Sequence, residues 1–153
     1  MRERVVIKWG GGLITDKSSL CTPDLEILEQ LAQTVSDCMQ HDLDVVLVHG
    51  AGSFGHLRSK HWRLNEGFLP HARFNKDEKC MNQREAVHTV RQEMLELNAY
   101  VCRALEQKNL TPIIHPPHLW VQNTGPVFSG NLHRFHEQSE GQVHVTFGDV
   151  VDV

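Results

Sequence analysis

The sequence has no long apolar run and no secretion signal. None of its 153 residues belongs to a stretch that approaches the length of a membrane-spanning helix. The first residues, Met1-Arg2-Glu3-Arg4, lead into a short strand pattern rather than into the apolar core of a signal peptide. We therefore expect a cytoplasmic protein with no membrane span. The length suits one domain with a sizeable core.

Paired cysteines and grouped metal ligands are also missing. No Cys-x-x-Cys pair occurs, so free thiols are favoured over a disulfide framework or a zinc site. The four cysteines are widely spaced: Cys21, Cys38, Cys80 and Cys102. Eleven histidines are present, but His115-Pro-Pro-His118 and His133-Arg-Phe-His136 lack further ligands at suitable spacing. We expect no metal held by the protein alone.

Excess positive charge is absent as well. The formal net charge is −4, which argues against a general nucleic-acid binder, although local basic patches remain open. The sequence also lacks the Gly-Lys-Ser/Thr of a Walker loop and the Gly-x-Gly-x-x-Gly dinucleotide fingerprint. No internal repeat is visible beyond the strand and glycine units described next.

Two short apolar runs lead directly into glycine-rich loops. Val45 to Val48 precede His49-Gly-Ala-Gly-Ser-Phe-Gly-His56, and Val5 to Lys8 precede Gly10-Gly11-Gly12. Continuous apolar runs are typical of buried parallel strands, and ligands bind where loops leave the carboxyl ends of such strands. Glycines let backbone N–H groups approach an anion. The repeated pattern therefore predicts a phosphate clamp.

The intervening segments predict helices and further strands. Thr22 followed by Pro23 predicts the start of an amphipathic helix that ends near His41, which makes a parallel βαβ unit. Apolar spacing predicts a second, longer helix over residues 82–108, with Asn82 and Glu85 resembling a capping box. Strands are predicted at 111–114 and 143–147, a short strand at 119–121 and a helical turn at 131–138. The polar stretch 61–79 suits either a flexible linker or a loop folded over a ligand, and its interleaved aromatic residues favour the loop.

Two lysines accompany the first glycine loop. Phosphoryl transfer requires that the charge on the moving group be neutralised and that the reactants be held in line. Lys8 leaves the first strand at the loop, and Lys17 lies across it. Taken alone, Lys-x-Gly-Gly fits a surface lysine before a tight turn equally well. The second loop makes the pattern specific.

Together these stretches resemble the amino acid kinase family and, within it, the isopentenyl phosphate kinases. The matching stretches, in chain order, are Ile7–Gly12, Ile14–Lys17, Val48–His56, Arg84–Asn98 and Phe147–Val151. The resemblance implies an α/β fold, a three-layer α/β/α sandwich with a mainly parallel sheet. Residues 1–153 would be the N-terminal, phosphate-acceptor-binding portion of the domain, with the C-terminal nucleotide-binding half missing.

The resemblance also implies an activity. It is the phosphorylation of isopentenyl phosphate, an isoprenoid monophosphate, to isopentenyl diphosphate by ATP, which binds with Mg²⁺, in isoprenoid biosynthesis. One alternative is a kinase of another small phosphate or carboxylate acceptor. Another is a non-catalytic truncated form that binds ligand or pairs with a full-length subunit. A homodimer is possible, and an uncovered sheet edge would favour association.

Site residues follow from the resemblance residue by residue. The catalytic residues would be Lys17, which stabilises the transition state, Lys8 and His56. The ATP phosphates would lie against Lys8, Gly10, Gly11, Gly12 and Gly52. The acceptor would be bound by Gly50, Ala51, Gly55, His56, Gly148 and Asp149, with His56 holding its phosphate and His49 making an orienting hydrogen bond. The isoprenoid tail would lie in an apolar pocket of Phe68, Phe74, Val87, Val90 and Met94.

Overall fold

A parallel sheet of four strands forms the centre of the structure, a computed structural model that describes residues 2–152. The described residues form six strands: β1 (Glu3–Trp9), β2 (Leu43–His49), β3 (Thr111–Ile114), β4 (Val121–Gln122), β5 (Ser129–Gly130) and β6 (Gln142–Phe147). The large sheet has the order β1-β2-β6-β3, and each neighbouring pair is parallel. β4 and β5 form a small antiparallel pair. The expected α/β fold with a mainly parallel sheet is confirmed.

Two long helices cover one face of the sheet. The helices are α1 (Gly11–Ile14), α2 (Leu25–Gln40), α3 (His56–His61) and α4 (Gln83–Glu106). Alternate strand residues such as Val45, Leu47 and Val145 are fully buried in one apolar cluster with residues of α2 and α4. This is the pattern expected where a strand turns one set of side chains toward a helical layer.

The start of α2 differs from the prediction. Its N-cap is Asp24, whose carboxylate accepts the N–H of Ile27 at 3.1 Å. Thr22 instead donates its hydroxyl to the carbonyl of Leu20 at 3.0 Å, and Pro23 forms an isolated β-bridge with Thr15. The bridge holds Pro23 in extended backbone, so the helix begins after it.

Other predicted elements are present with adjusted bounds. Asn82 caps α4 as expected, accepting the N–H of Glu85 at 3.0 Å, and β3 has the predicted bounds. The predicted strand at 119–121 is displaced to β4, and the helical turn at 131–138 is a 3₁₀ turn over Leu132–Phe135. None of the described helices is long and apolar enough to span a bilayer.

The opposite face of the sheet is covered by an irregular segment over residues 132–138. The Arg4 guanidinium donates to the carbonyls of Phe135 and His136, and the Gln138 amide donates to the Val45 carbonyl at 3.0 Å. Elsewhere this face is open, and Val6 in β1 is 69% exposed. The described residues therefore place both long helices on one face and no long helix on the other.

A buried histidine pair lies beneath that segment. His115 Nε2 is 2.8 Å from His144 Nδ1, and His144 Nε2 donates to the Glu137 carbonyl at 2.7 Å. Burial, together with the neighbouring His144 and Arg134, lowers the pKa of His115 to about 4. His115 is therefore neutral near pH 7, and the pair joins the end of β3 to β6 and to the covering segment.

The stretch 61–79 folds against α4. Trp62 is buried at 1% exposure in a small cluster with Cys80 and Ala86. Gln83 of α4 donates to the Trp62 carbonyl at 2.8 Å and accepts the N–H of Leu69 at 2.8 Å. The stretch is therefore a folded loop rather than a flexible linker, and these contacts are with α4.

Candidate functional site

The two glycine loops touch each other backbone to backbone at the carboxyl edge of the sheet. A Cβ on Gly11 would lie 2.1 Å from the amide nitrogen of Gly52, and one on Gly50 would lie 2.6 Å from that of Gly11. Gly52 has a φ of +51°, and a Cβ there would lie 2.1 Å from Thr15 Oγ1. Side chains at these three positions would push the loops apart. These glycines are therefore required for the packing of the two loops. The sequence had predicted them only as positions where backbone N–H groups can approach an anion.

Thr15 fastens the two loops together. Its hydroxyl donates to the Gly11 carbonyl at 2.7 Å and accepts the N–H of Ser53 at 3.1 Å. The side chain is 4% exposed, so both partners depend on this hydroxyl rather than on water. The sequence did not predict this role of Thr15, although its position between the first glycine loop and Lys17 was the available signal.

A cleft of about 440 Å³ opens beside the joined loops. It is lined by Gly11, Gly12, Lys17, Ala51, Gly52, Ser53, His56 and Leu57. Lys17 crosses close to Gly12, since a Cβ on Gly12 would lie 2.8 Å from Lys17 Cε. The structure therefore brings together Lys17, His56 and both glycine loops, as the resemblance implied.

The cations at this edge have no acidic partners in the described part of the chain. Within residues 2–152, neither Lys8 nor Lys17 has a carboxylate within salt-bridge distance. Uncompensated positive charge beside exposed loop backbone attracts anions. Lys8 does not line the cleft. It is exposed and alternates with Trp9, so its side chain lies on the sheet face opposite the helices.

His49 holds the start of the second loop in place. Its ring nitrogens lie 3.0 Å from the Gly50 carbonyl and 3.0 Å from Asn98 Oδ1. The ring stacks on Phe147 with a centroid separation of 5.1 Å. Burial lowers the pKa of His49, so the ring is neutral. This geometry agrees with the orienting hydrogen bond expected for His49.

Gly148 and Asp149 bring β6 to the same edge. The Gly148 N–H donates to the His49 carbonyl at 3.0 Å. The Asp149 side chain is fully buried and lies 2.7 Å from His118 Nδ1. In this structure Asp149 binds His118 rather than a lysine of the cleft.

The predicted tail pocket does not form one surface. Phe68 is 63% exposed beneath the Arg84 guanidinium and shares a separate cleft of about 210 Å³ with Val87. Phe74 packs on Trp62 with a centroid separation of 5.2 Å, in the small cluster.

The other two tail residues lie in the main core. Val90 is 3% exposed and Met94 is fully buried. Both pack near Gly55, where a Cβ would come within 3.2 Å of Met94 Sδ. A side chain at Gly55 would therefore require Met94 and Val90 to shift by a few tenths of an ångström.

Comparisons with known proteins agree with this arrangement. The model of the amino acid kinase family matches residues 3–153. The chain belongs to the amino acid kinase family. It is 27% identical over 150 residues to the isopentenyl phosphate kinase of Methanothermobacter thermautotrophicus, covering 96% of this chain and 53% of that protein.

Solved structures of amino acid kinases resemble the fold. An X-ray structure of isopentenyl phosphate kinase aligns with a TM-score of 0.77 at 27% identity, covering 97% of this chain and 58% of the other. The substrate complex of an isopentenyl phosphate kinase aligns with a TM-score of 0.73 at 26% identity, covering 99% and 56%. The chain spans about half the length of the curated relative it matches.

Proposed function

We propose that this chain forms the acceptor-binding portion of an ATP-dependent kinase that converts isopentenyl phosphate to isopentenyl diphosphate, a step of isoprenoid biosynthesis. The observation that carries the proposal is the cleft in which Lys17 and His56 flank two interlocked glycine loops. The relatives named isopentenyl phosphate kinase support this choice of acceptor.

The acceptor's phosphate is held by His56 and by the backbone of the second loop. His56 is exposed at the first residue of α3 and lines the cleft. Histidine titrates near neutrality, so it can carry a positive charge toward an acceptor that is itself an anion. Gly50, Ala51, Gly55 and Gly148 complete the proposed acceptor site. The Asp149 carboxylate, which the resemblance also placed there, is buried against His118.

The first loop receives the phosphates of ATP. Lys17 neutralises charge on the transferring group, which is the main protein contribution to phosphoryl transfer. Gly10, Gly11, Gly12 and Gly52 complete the proposed phosphate site. Lys8, which the resemblance also placed there, lies outside the cleft on the open face of the sheet. The close crossing of Lys17 over Gly12 suits this role, since a side chain at Gly12 would displace the lysine.

In the proposed reaction Mg²⁺ enters with the phosphates of ATP. Across residues 2–152, no three His, Cys, Asp or Glu side chains are grouped as metal ligands. Mg²⁺ commonly keeps its waters and binds through substrate phosphates. ATP supplies the phosphoryl group, and the chain's own residues bind and orient it.

Calorimetric titration of the purified 153-residue chain tests the proposal. We expect binding of isopentenyl phosphate and no binding of isopentenol, which has the same tail without the phosphate. N-acetylglutamate serves as the carboxylate control. Tighter binding of the carboxylate, or failure to bind the phosphate ester, would contradict the proposed acceptor.

A further inference from the structure

We propose that Arg58 is a positioning residue, clamped between Glu93 and Asp77 so that α3 presents His56 to the cleft. The proposal rests on the proposed function for what His56 binds. The clamp itself is a feature of the fold and can be tested without a ligand.

Arg58 is held on two sides by carboxylates. Its Nε and Nη2 donate to Glu93 Oε1 at 3.1 and 2.9 Å, and its Nη1 donates to Asp77 Oδ2. The side chains of Arg58, Glu93 and Asp77 are 14%, 5% and 21% exposed. A planar guanidinium with several charge-assisted bonds fixes direction as well as distance.

Asp77 is anchored in its turn by neighbouring groups. Its Oδ2 accepts the indole N–H of Trp62 at 2.7 Å, and its Oδ1 accepts the N–H groups of Lys79 and Cys80, each at 2.8 Å. Burial alone would raise the pKa of Asp77, but these bonds and Arg58 hold that pKa well below its usual range. Asp77 therefore stays ionised. Arg58 of α3 binds Asp77 in the 77–80 turn and Glu93 in α4, so the clamp joins these three elements.

α3 depends on such a tie. It has six residues and no side-chain cap at its first turn. A helix this short is unstable without tertiary contacts, because nucleation is costly and few backbone bonds repay it. Arg58 reaches α4, whereas His56 and Leu57 line the cleft. The clamp therefore fixes the rotation of α3 about its axis and with it the direction of His56.

Two variants weaken the clamp to different extents. Arg58→Lys keeps the charge and loses the forked geometry, and Asp77→Asn keeps an acceptor for Trp62 and loses the charge. Arg63→Lys is the matched control, since Arg63 pairs with Glu66 in the adjoining segment and both side chains are exposed, at 51% and 43%. Exposed pairs of this kind contribute little to stability.

Hydrogen exchange and calorimetry give separate measurements. In both clamp variants we expect faster exchange of the Ser59 and Trp62 amides, which donate to Gly55 and Arg58 within α3, by roughly tenfold, with α2 amides unchanged. We expect the Kd for isopentenyl phosphate to rise about tenfold, since the direction of the His56 side chain changes. The control should match the wild type.

Each outcome decides the proposal. Unchanged exchange in α3, or faster exchange in α3 with unchanged affinity for isopentenyl phosphate, would overturn it. Equal loss of protection in α2 and α3 in both variants would show a general loss of stability and would also overturn it. If the wild-type chain fails to bind isopentenyl phosphate, the proposed function fails. In that case the clamp is decided by two measurements that need no ligand, the exchange rates of α3 and the NMR line width of the His56 ring. Faster exchange in the variants supports the clamp. Unchanged α3 exchange overturns it, even if the ring signal is broadened.

Discussion

Thr15 and three glycines give the cleft its shape through contacts a few ångströms long. A Cβ on Gly52 would lie 2.1 Å from Thr15 Oγ1 and 2.3 Å from the Gly11 carbonyl oxygen. Both neighbours are held by the hydrogen bond between them, so neither can move without breaking the junction of the loops.

Gly52→Ala should destabilise the chain strongly. The positive φ and the clash act together, and we expect a loss on the order of 3 kcal/mol in the free energy of unfolding. Urea denaturation followed by circular dichroism measures it. Gly10→Ala is the control, because Gly10 has a φ of −63° and no atom within 4 Å of its Cβ position. A similar loss in both variants would show that the loop junction is not the cause.

His56→Ala tests the proposed acceptor site at a single side chain. A charge-assisted hydrogen bond to a phosphate contributes roughly 1.5–3 kcal/mol, so the Kd for isopentenyl phosphate should rise about 10- to 100-fold. Calorimetry on the chain measures it. Lys60→Ala, which removes an exposed cation from the same helix, is the control; an equal loss of affinity in Lys60→Ala would contradict the role of His56.

At the scale of elements, apolar spacing located α2 and α4, but it did not locate the start of α2. Thr22-Pro23 has the residue types of a cap and a first helical position. In the folded chain neither residue takes that position in the helix, because Pro23 forms a β-bridge with Thr15. Asp24, one residue later, is an equally suitable cap, and the local sequence does not distinguish the two.

Paired alanine variants measure which residue caps α2. Asp24→Ala removes the acceptor for the Ile27 N–H and should lower the free energy of unfolding by about 1 kcal/mol. Thr22→Ala, the matched change at the predicted cap, should cost less than about 0.5 kcal/mol, as surface substitutions usually do. Thermal unfolding of both variants at one pH suffices. A larger loss for Thr22→Ala would restore the sequence-based assignment.

The same limit explains the tail residues. Val90 and Met94 follow the spacing of an amphipathic helix, which predicts a helix face in contact with apolar atoms. The spacing does not indicate whether those atoms belong to a ligand or to the protein. In the structure they contact the core and the loop at Gly55. The glycine loops were predictable because their pattern is local, whereas Thr15 acts on Ser53, 38 positions away.

At the scale of the whole molecule, two neutral histidines make stability depend on pH. His49 and His115 both have a pKa below the ordinary 6.5, and that of His115 is about 4. Such a group takes up protons more readily in the unfolded chain, so it contributes its full stability above pH 6.5 and loses it as the pH falls toward 4.

We therefore expect the urea midpoint to fall steadily between pH 6.5 and pH 4, the interval set by His115. His115→Gln keeps an N–H for His144 and removes the titrating group, so it should flatten this dependence. His71→Gln, which changes an exposed histidine, should leave the slope unchanged. Equal slopes in the wild type and His115→Gln would exclude the buried pair as the source.

The order of strands lies beyond sequence reasoning. Apolar runs identified the four strands of the large sheet. They do not indicate that β6 lies between β2 and β3, because this depends on where in the sheet the chain places its last strand. Right-handed crossovers permit more than one such order.

This order has a consequence for synthesis on the ribosome. β1 and β2 emerge first and can pair, but β2 and β3 cannot pair with each other, because β6, the strand that separates them, has not yet been made. Both carry open backbone edges until residue 147 has left the exit tunnel. The last of the four strands to be translated thus completes the sheet from its middle, and a nascent chain stalled before it should be the form that chaperones bind.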